Sequence, residues 1–353
     1  MHEIYRILDA NFNRAREGLR VLEDCARFML NSKPLSQEAK TLRSKLQQLL
    51  AEFPEGALLA SRDTPGDTGT TNSSATEYNR SSLREIISAG AKRTTESLRT
   101  IEEYSKLVSP AQAKLAEQLR YKCYTLEQKI TAKVCISDQF KQANIYALIS
   151  SDMIECDMEK LAREILSAGV DIIQLREKNS CDRDFYKLAK MLRTITSELG
   201  KIFIINDRVD IAALVGADGL HLGQDDLPLE AARKLCRPGT VIGRSCHCIE
   251  HVNRALDEGA DYIALGPMFE TKTKNKVPVS PALLEEFCAE FGTDPSNRPP
   301  VVTIGGINAD NVDILISKGA SCVAVCGAII KSANPANAVA EIKKVFAKLT
   351  PKK

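Results

Sequence analysis

At 353 residues, 44% of them hydrophobic, the chain is longer than one typical domain needs and apolar enough to bury a sizeable core. A formal net charge of +2 creates no drive toward nucleic acid or an anionic membrane surface. No uninterrupted apolar run reaches the ~18 residues of a transmembrane helix. The opening MHEIYRILDANFNRAREG is charged and helical in pattern, unlike a signal peptide. Eleven cysteines, many inside apolar strand or helix patterns, read as reduced core thiols, so the expected compartment is the cytoplasm.

The first third reads as all helix. Ile4, Leu8, Phe12, Ala15, Leu19, Leu22, Ala26 and Met29 recur at helical spacing. Pro34 opens a second helix, with Leu35, Ala39, Leu42, Leu46 and Leu49 on one face. After a polar loop over 61–79, a third helix carries Leu83, Ile86, Ile87, Leu98, Ile101 and Leu107. Ser109-Pro110 starts a fourth, with Leu115, Leu119, Cys123, Leu126 and Ile130. The two halves resemble each other. Arg14-x-x-Glu17-x-Leu19-Arg20-x-Leu22-Glu23-Asp24 matches Arg93-x-x-Glu96-x-Leu98-Arg99-x-Ile101-Glu102-Glu103, and Leu42-Arg43-x-Lys45 matches Leu119-Arg120-x-Lys122. A duplicated helical hairpin forming a four-helix bundle is the expectation. Its charged residues stand at i,i+3 and i,i+4 spacing, which surface pairs explain. A polar cluster near an internal pseudo-twofold axis, facing Asp63-Thr64-Pro65-Gly66-Asp67, is the functional alternative. Residues 134–142 (VCISDQFKQ) break the helical pattern, so the expected division is a helical domain over 1–140 and a second domain over 141–353.

In the second domain strands and helices alternate. Strands are expected over 145–149, 171–175, 202–205, 219–222, 241–242, 262–265, 301–304 and 322–326, with helices between them, for example over 159–167, 183–197 and 249–258. Gly169-Val170-Asp171, Gly216-Ala217-Asp218, Gly259-Ala260-Asp261 and Gly319-Ala320-Ser321 each pair a helix-ending glycine with the start of a strand. The α/β pattern with eight strands fits a (β/α)8 TIM barrel. An open doubly wound sheet is the alternative, although no Gly-rich dinucleotide loop follows the first strand.

In such a barrel the loops after the strands share one face. Asp207 and Asp226 follow two consecutive strands and would face one pocket, where two hard carboxylates suit Mg²⁺. Capping of the helices near Arg208 and Pro228 is the plainer alternative. After the second strand, alternation puts Gln174, Arg176 and Lys178 on one side, and two cations there suit a polyanion. Further exits carry Asn206, Gly243-Arg244-Ser245-Cys246-His247, and a hydroxyl-rich basic loop with Thr271, Thr273 and Lys274. Gly305-Gly306 and Gly327-Ala328 after the last two strands form a backbone phosphate site. The pocket thus offers two anion sites, one cationic and one built from backbone amides. Cys246, His247, Cys248 and His251 are too crowded for a usual zinc site. His221, inside a strand, reads as a hydrogen-bonded core residue.

QLREK, IINDRVDIAALVGADGLHLGQDD, GRSCH, GPMFETKTK, TIGGI and VAVCGAI, in that order, resemble thiamine-phosphate synthases (thiamine-phosphate pyrophosphorylases) over nearly all of residues 143–348. The helical part is similar to an extension carried by a subset of that family. The resemblance implies condensation of 4-amino-5-hydroxymethyl-2-methylpyrimidine diphosphate with 4-methyl-5-(2-phosphoethyl)thiazole, or a carboxylated form of it, to thiamine monophosphate and pyrophosphate. It implies Mg²⁺ on Asp207 and Asp226, and Arg176, Lys178 and Lys274 stabilising the leaving group. Asn206 and Ser245 would donate hydrogen bonds, and Gln174 would orient the pyrimidine. Thr271 and Thr273 would contact the thiazole phosphate, held by Gly306, Gly327 and Ala328. Small-molecule substrates are the implied partners, with no nucleic acid and no membrane; a homo-oligomer stays open. Family members often carry serine where this chain has Gly327, which removes one hydroxyl from the phosphate site. A thiazole tautomerase on the same barrel, a non-catalytic thiamine-phosphate sensor, and a helical domain with its own ligand are the alternatives.

Overall fold

The apolar residues spaced at helical period in the first third do form helices. The computed structural model describes residues 1–349 apart from 31, 55, 68–78, 238, 271–279, 296 and 297. The chain divides into two units, Met1–Val134 and Cys135–Lys353. The first unit contains α1 (His2–Asp24, continued by a π turn, Cys25–Met29), α2 (Lys33–Ala51), the short α3 (Ala57–Ala60), α4 (Leu83–Ser105) and the start of α5 (Pro110–Gln142). Leu8, Leu22, Leu46, Leu98 and Leu126 meet in one core. Helices α1 and α4 approach closely at Gly18, where an added Cβ would run into the carbonyl oxygen of Gly90 and the hydroxyl of Thr94.

The repeat is visible in the ion pairs. Glu23 pairs with Arg43 in the first half and Glu102 with Arg120, at 3.0 Å, in the second. Both glutamates are buried, so the surface-pair expectation holds for Arg20–Asp24 but not for them. The loop after α3 is tied to α1: Arg62 grips Asp9 at 2.7 and 2.8 Å, and Arg6 donates to the Asp63 carbonyl at 2.9 Å.

The stretch 134–142, expected to break the helical pattern, is instead the end of α5. It contains neither glycine nor proline. Its apolar residues stay at helical spacing but change core: Val134 packs in the bundle, whereas Ile136 and Phe140 pack in the barrel.

The second unit is a closed parallel barrel with strands in chain order: β1 (Ile145–Ile149), β2 (Ile172–Leu175), β3 (Ile202–Asn206), β4 (Gly219–Leu222), β5 (Val241–Cys246), β6 (Tyr262–Leu265), β7 (Val301–Ile304) and β8 (Cys322–Val325). Ile145 opposite Val323 closes it. Strand β5 extends to Cys246, beyond the expected 241–242, so Arg244 and Ser245 are strand residues. Helices α6 (Met158–Ala168), α7 (Asp182–Glu198), α8 (Val209–Val215), α9 (Leu229–Leu235), α10 (Ile249–Asp257), α11 (Ala282–Phe291), α12 (Val312–Ser317), α13 (Gly327–Ile330) and α14 (Pro335–Leu349) fill the intervals. Both strand faces are buried, which is why the strands read as continuous apolar runs. One core lies between strands and helices, and a smaller one, with Tyr146, Ile172, Ile204 and Tyr262, fills the barrel interior.

The recurring Gly-x-Asp entries have a physical role. Gly169, Gly216, Gly259 and Gly319 all have positive φ, as helix-terminating glycines do. The aspartate two residues later accepts backbone N–H groups at the neighbouring strand's start: Asp171 from Asn144 at 3.0 Å, Asp218 from Phe203 at 2.9 Å and Asp261 from Ile242 at 2.8 Å. Lys201, Arg193 and Arg233 balance the three carboxylates. These entries pin the closed end of the barrel and leave the strand exits to chemistry.

Candidate active site

The strand exits surround a cavity of about 500 Å³. Of the residues singled out in the sequence, Gln174, Arg176, Asn206, Ser245, Gly306, Gly327 and Ala328 line it. Lys178, Asp207 and Asp226 do not line the cavity itself. They cluster with one another: Lys178 pairs with Asp207, and the Asp207 and Asp226 carboxyls are neighbours. Thr271, Thr273 and Lys274 lie outside the described residues.

Local structure explains the cluster. Asp207 follows β3 at φ 61°, in the left-handed region that few non-glycine residues enter and that aspartate enters more readily than most. Its backbone N–H donates to the His221 carbonyl at 2.8 Å, fixing the turn against β4. Neither carboxylate caps a helix. The residues before α8 and α9 are Arg208 and Pro228, without side-chain caps, and Asp226 instead accepts the Gly223 N–H at 2.5 Å. Burial first, and then the Asp207 carboxyl beside it, push the Asp226 carboxyl above the usual aspartate range. The two adjacent carboxylates, with Lys178 paired to Asp207, form an oxygen-only donor pair of the kind that fits a hard divalent cation. Among the described residues no three His, Cys, Asp or Glu side chains gather into a metal cage, so other ligands of such an ion would come from substrate and water.

The alternation after β2 extends only part of the way. Gln174 and Arg176 face the cavity, while Lys178 is half-exposed beside Asp207. The intervening Glu177 serves the loop, accepting the Ser151 N–H and hydroxyl at 2.6 Å each. Buried Arg244 braces the loop that carries Asp226, donating to the carbonyls of Leu227 and Gln224 at 3.1 Å each.

The opposite wall is built from glycine backbone. Gly305 and Gly306 have φ of 106° and 65°. A Cβ on Gly305 would strike Pro267, and one on Gly306 would strike Phe269 and the Glu270 carbonyl, so the β6 exit packs where only glycine fits. Gly327 and Ala328 follow β8, and Lys331 adds a cation to this wall.

His247, Asn308 and Lys331 line the cavity but were not singled out as site residues from the sequence. His247 and Asn308 follow β5 and β7, so exit position was an available signal. Lys331 is the C-cap of the short α13, one helical turn after Gly327. His221 is a buried, hydrogen-bonded residue as expected, yet it also reaches the cavity floor. Cys246 is buried and His247 Nδ1 lies 2.5 Å from the Gly266 carbonyl. All eleven cysteines are free, and no described helix is long and apolar enough to cross a membrane.

Residues 145–329 match a family model described as thiamine monophosphate synthase, and residues 6–129 match the ThiD2 family. The thiamine-phosphate synthase of Synechocystis sp. is 38% identical over 99% of this chain and 98% of its own length. That of Rhodopirellula baltica is 40% identical over 92% of this chain and 88% of its own. The solved thiamine phosphate pyrophosphorylase of Pyrococcus furiosus superposes with a TM-score of 0.54 at 30% identity, covering 60% of this chain and 99% of that one.

Proposed function

Because this chain belongs to the thiamine-phosphate synthase family and is a transferase of thiamine biosynthesis, we propose how its residues divide the reaction between the two walls of the cavity. The pyrimidine diphosphate lies toward β2–β5 and the thiazole phosphate toward β7–β8. What supports this division is the pairing of Lys178, Asp207 and Asp226 beside one wall and the glycine backbone with Lys331 on the other.

The carbon–oxygen bond to the diphosphate breaks, the electron pair leaves with pyrophosphate, and the pyrimidinylmethyl cation is stabilised by the amino-substituted ring. The thiazole nitrogen then closes the new carbon–nitrogen bond with its own lone pair. No general base is needed at that centre, so catalysis is electrostatic and positional. Asp207 and Asp226 would hold Mg²⁺, which would supply neutralisation of charge on the leaving diphosphate. Arg176, Lys178 and Lys274 hold the diphosphate oxygens; Asn206 and Ser245 donate hydrogen bonds to them. Gln174 orients the pyrimidine. Gly306, Gly327, Ala328 and Lys331 bind the thiazole phosphate, together with Thr271 and Thr273. Gly327 leaves this subsite without the serine hydroxyl common in the family, and Lys331 offsets the loss with charge.

The deciding experiment is pyrophosphate release by the full-length protein with Mg²⁺ and both precursors, omitting each in turn. Release that requires both, with thiamine monophosphate formed, is expected. Release from the pyrimidine diphosphate alone would instead mean cleavage without coupling and would overturn the assignment of the Gly327 wall.

A further inference from the structure

Five side chains on five strands form one hydrogen-bonded file through the barrel interior. Gln174 Nε2 donates to Tyr146 Oη at 2.6 Å, and Tyr146 Oη lies 3.3 Å from Tyr262 Oη. Tyr262 Oη lies 3.0 Å from His221 Nδ1, and His221 Nε2 lies 2.9 Å from Ser245 Oγ. Gln174, Tyr146, Tyr262 and His221 are all buried. Both ends of the file, Gln174 and Ser245, line the cavity. Room for it is reserved: a Cβ on Gly243 would overlap the Tyr262 ring. Burial pushes both phenols well above the usual tyrosine range, so each keeps its proton.

Proton accounting gives the file a direction. An amide nitrogen only donates, so Tyr146 accepts from Gln174 and passes its own proton toward Tyr262. Tyr262 then donates to His221 Nδ1. The imidazole proton therefore sits on Nε2 and is given to Ser245 Oγ. With Nε2 engaged by Tyr146, the Gln174 amide oxygen is the group left for a substrate at one end of the file, and the Ser245 hydroxyl proton at the other. Reversing any one link strands two protons or two lone pairs against each other in a buried space, at about 1–3 kcal/mol.

We propose that Tyr146, Tyr262 and His221 act as a polarity lock, positioning Gln174 as an acceptor and Ser245 as a donor toward substrate. This rests on the placement of the pyrimidine at Gln174. The lock selects a heterocycle that presents an exocyclic amino group over one presenting an oxo group, because the oxo ring would set oxygen against the Gln174 oxygen. A site built on such a hydrogen bond rejects the wrong partner more strongly than an apolar pocket can. Tyr146, Tyr262 and His221 are positioning residues; none needs to touch the reacting atoms.

The test compares dissociation constants of the full-length protein, without the thiazole phosphate, for the 4-aminopyrimidine diphosphate and its 4-oxo counterpart, so that the amino group's own stabilisation of the cation does not enter, in the native sequence and in Tyr262→Phe, Tyr146→Phe and Gln174→Ala. The native protein should prefer the amino ring by about a hundredfold or more. Tyr262→Phe frees the Tyr146 proton to turn back onto Gln174, so the amide can rotate and the preference should fall at least about tenfold. Loss of the preference in Gln174→Ala, with full retention in both tyrosine variants, overturns the lock but leaves the pyrimidine at Gln174. Retention in all three overturns the placement of the ring and the lock with it. Nitrogen-15 NMR of His221 in the native protein supplies a readout independent of substrate and of variant folding. A neutral ring protonated on Nε2 is expected, and protonation on Nδ1 reverses the file and overturns the inference.

Discussion

The ring of Phe140, near the end of α5, lies 4.5 Å from that of Tyr262 on β6, centroid to centroid. The contact makes the last turns of α5 part of the barrel, as the floor beneath its inner core. A fragment comprising residues 135–353 should fold, whereas one comprising 141–353 loses Phe140 and should be less stable by about 3 kcal/mol, the scale of deleting a buried phenylalanine. Thermal melts of the two fragments measure the difference. Equal melting temperatures would mean that Phe140 is dispensable.

Asp226→Asn keeps an oxygen for the Gly223 N–H and removes one of two adjacent carboxylates. Burial and Asp207 already disfavour the ionised form of Asp226, so the melting temperature should hold or rise slightly. Turnover should drop about a hundredfold or more, since loss of metal-borne charge stabilisation costs several kcal/mol at the transition state. Initial rates across an Mg²⁺ titration check this, and an unchanged Mg²⁺ dependence would remove Asp226 from the metal site.

The two cationic walls should separate kinetically. Lys178→Ala should raise KM for the pyrimidine diphosphate about tenfold or more, with little change for the thiazole phosphate, and Lys331→Ala should do the opposite; each removes a charge-assisted hydrogen bond of about 1.5–3 kcal/mol. Steady-state kinetics with each substrate varied in turn distinguish the two. Equal loss for both substrates in either variant would contradict the division.

The glycines of the phosphate wall should respond in opposite directions. Gly306 has φ 65°, and its Cβ would strike Phe269 and the Glu270 carbonyl. Gly306→Ala should therefore cost about 1–2 kcal/mol from backbone conformation alone and weaken thiazole phosphate use. A Cβ on Gly327 meets nothing within 4 Å, so Gly327→Ser should fit without strain and lower KM for the thiazole phosphate severalfold. Melting temperature and KM together read both effects, and a Gly327→Ser variant that binds more weakly would show that the wall is not where the phosphate lies.

The eight strands, their exits and the entry glycines were legible in the sequence. Burial on both faces writes each strand as a short continuous apolar run, and positive φ at Gly169, Gly216, Gly259 and Gly319 demands glycine locally. The residue types at the exits, from Gln174 and Arg176 to Asp207, Asp226 and Gly306, were legible for the same reason: in a parallel barrel, exit position follows from strand position alone. Tertiary structure decided the rest. The end of α5 carries no local stop signal, and only packing of Phe140 on Tyr262 shows which core it serves. Lys331 reaches the cavity because α13 turns immediately after β8, which sets it one helical turn after Gly327. The file from Gln174 through Tyr146, Tyr262 and His221 to Ser245 joins residues whose sequence neighbours say nothing about each other. It exists because barrel closure and the stagger between strands bring inward-facing side chains to hydrogen-bonding distance across the interior.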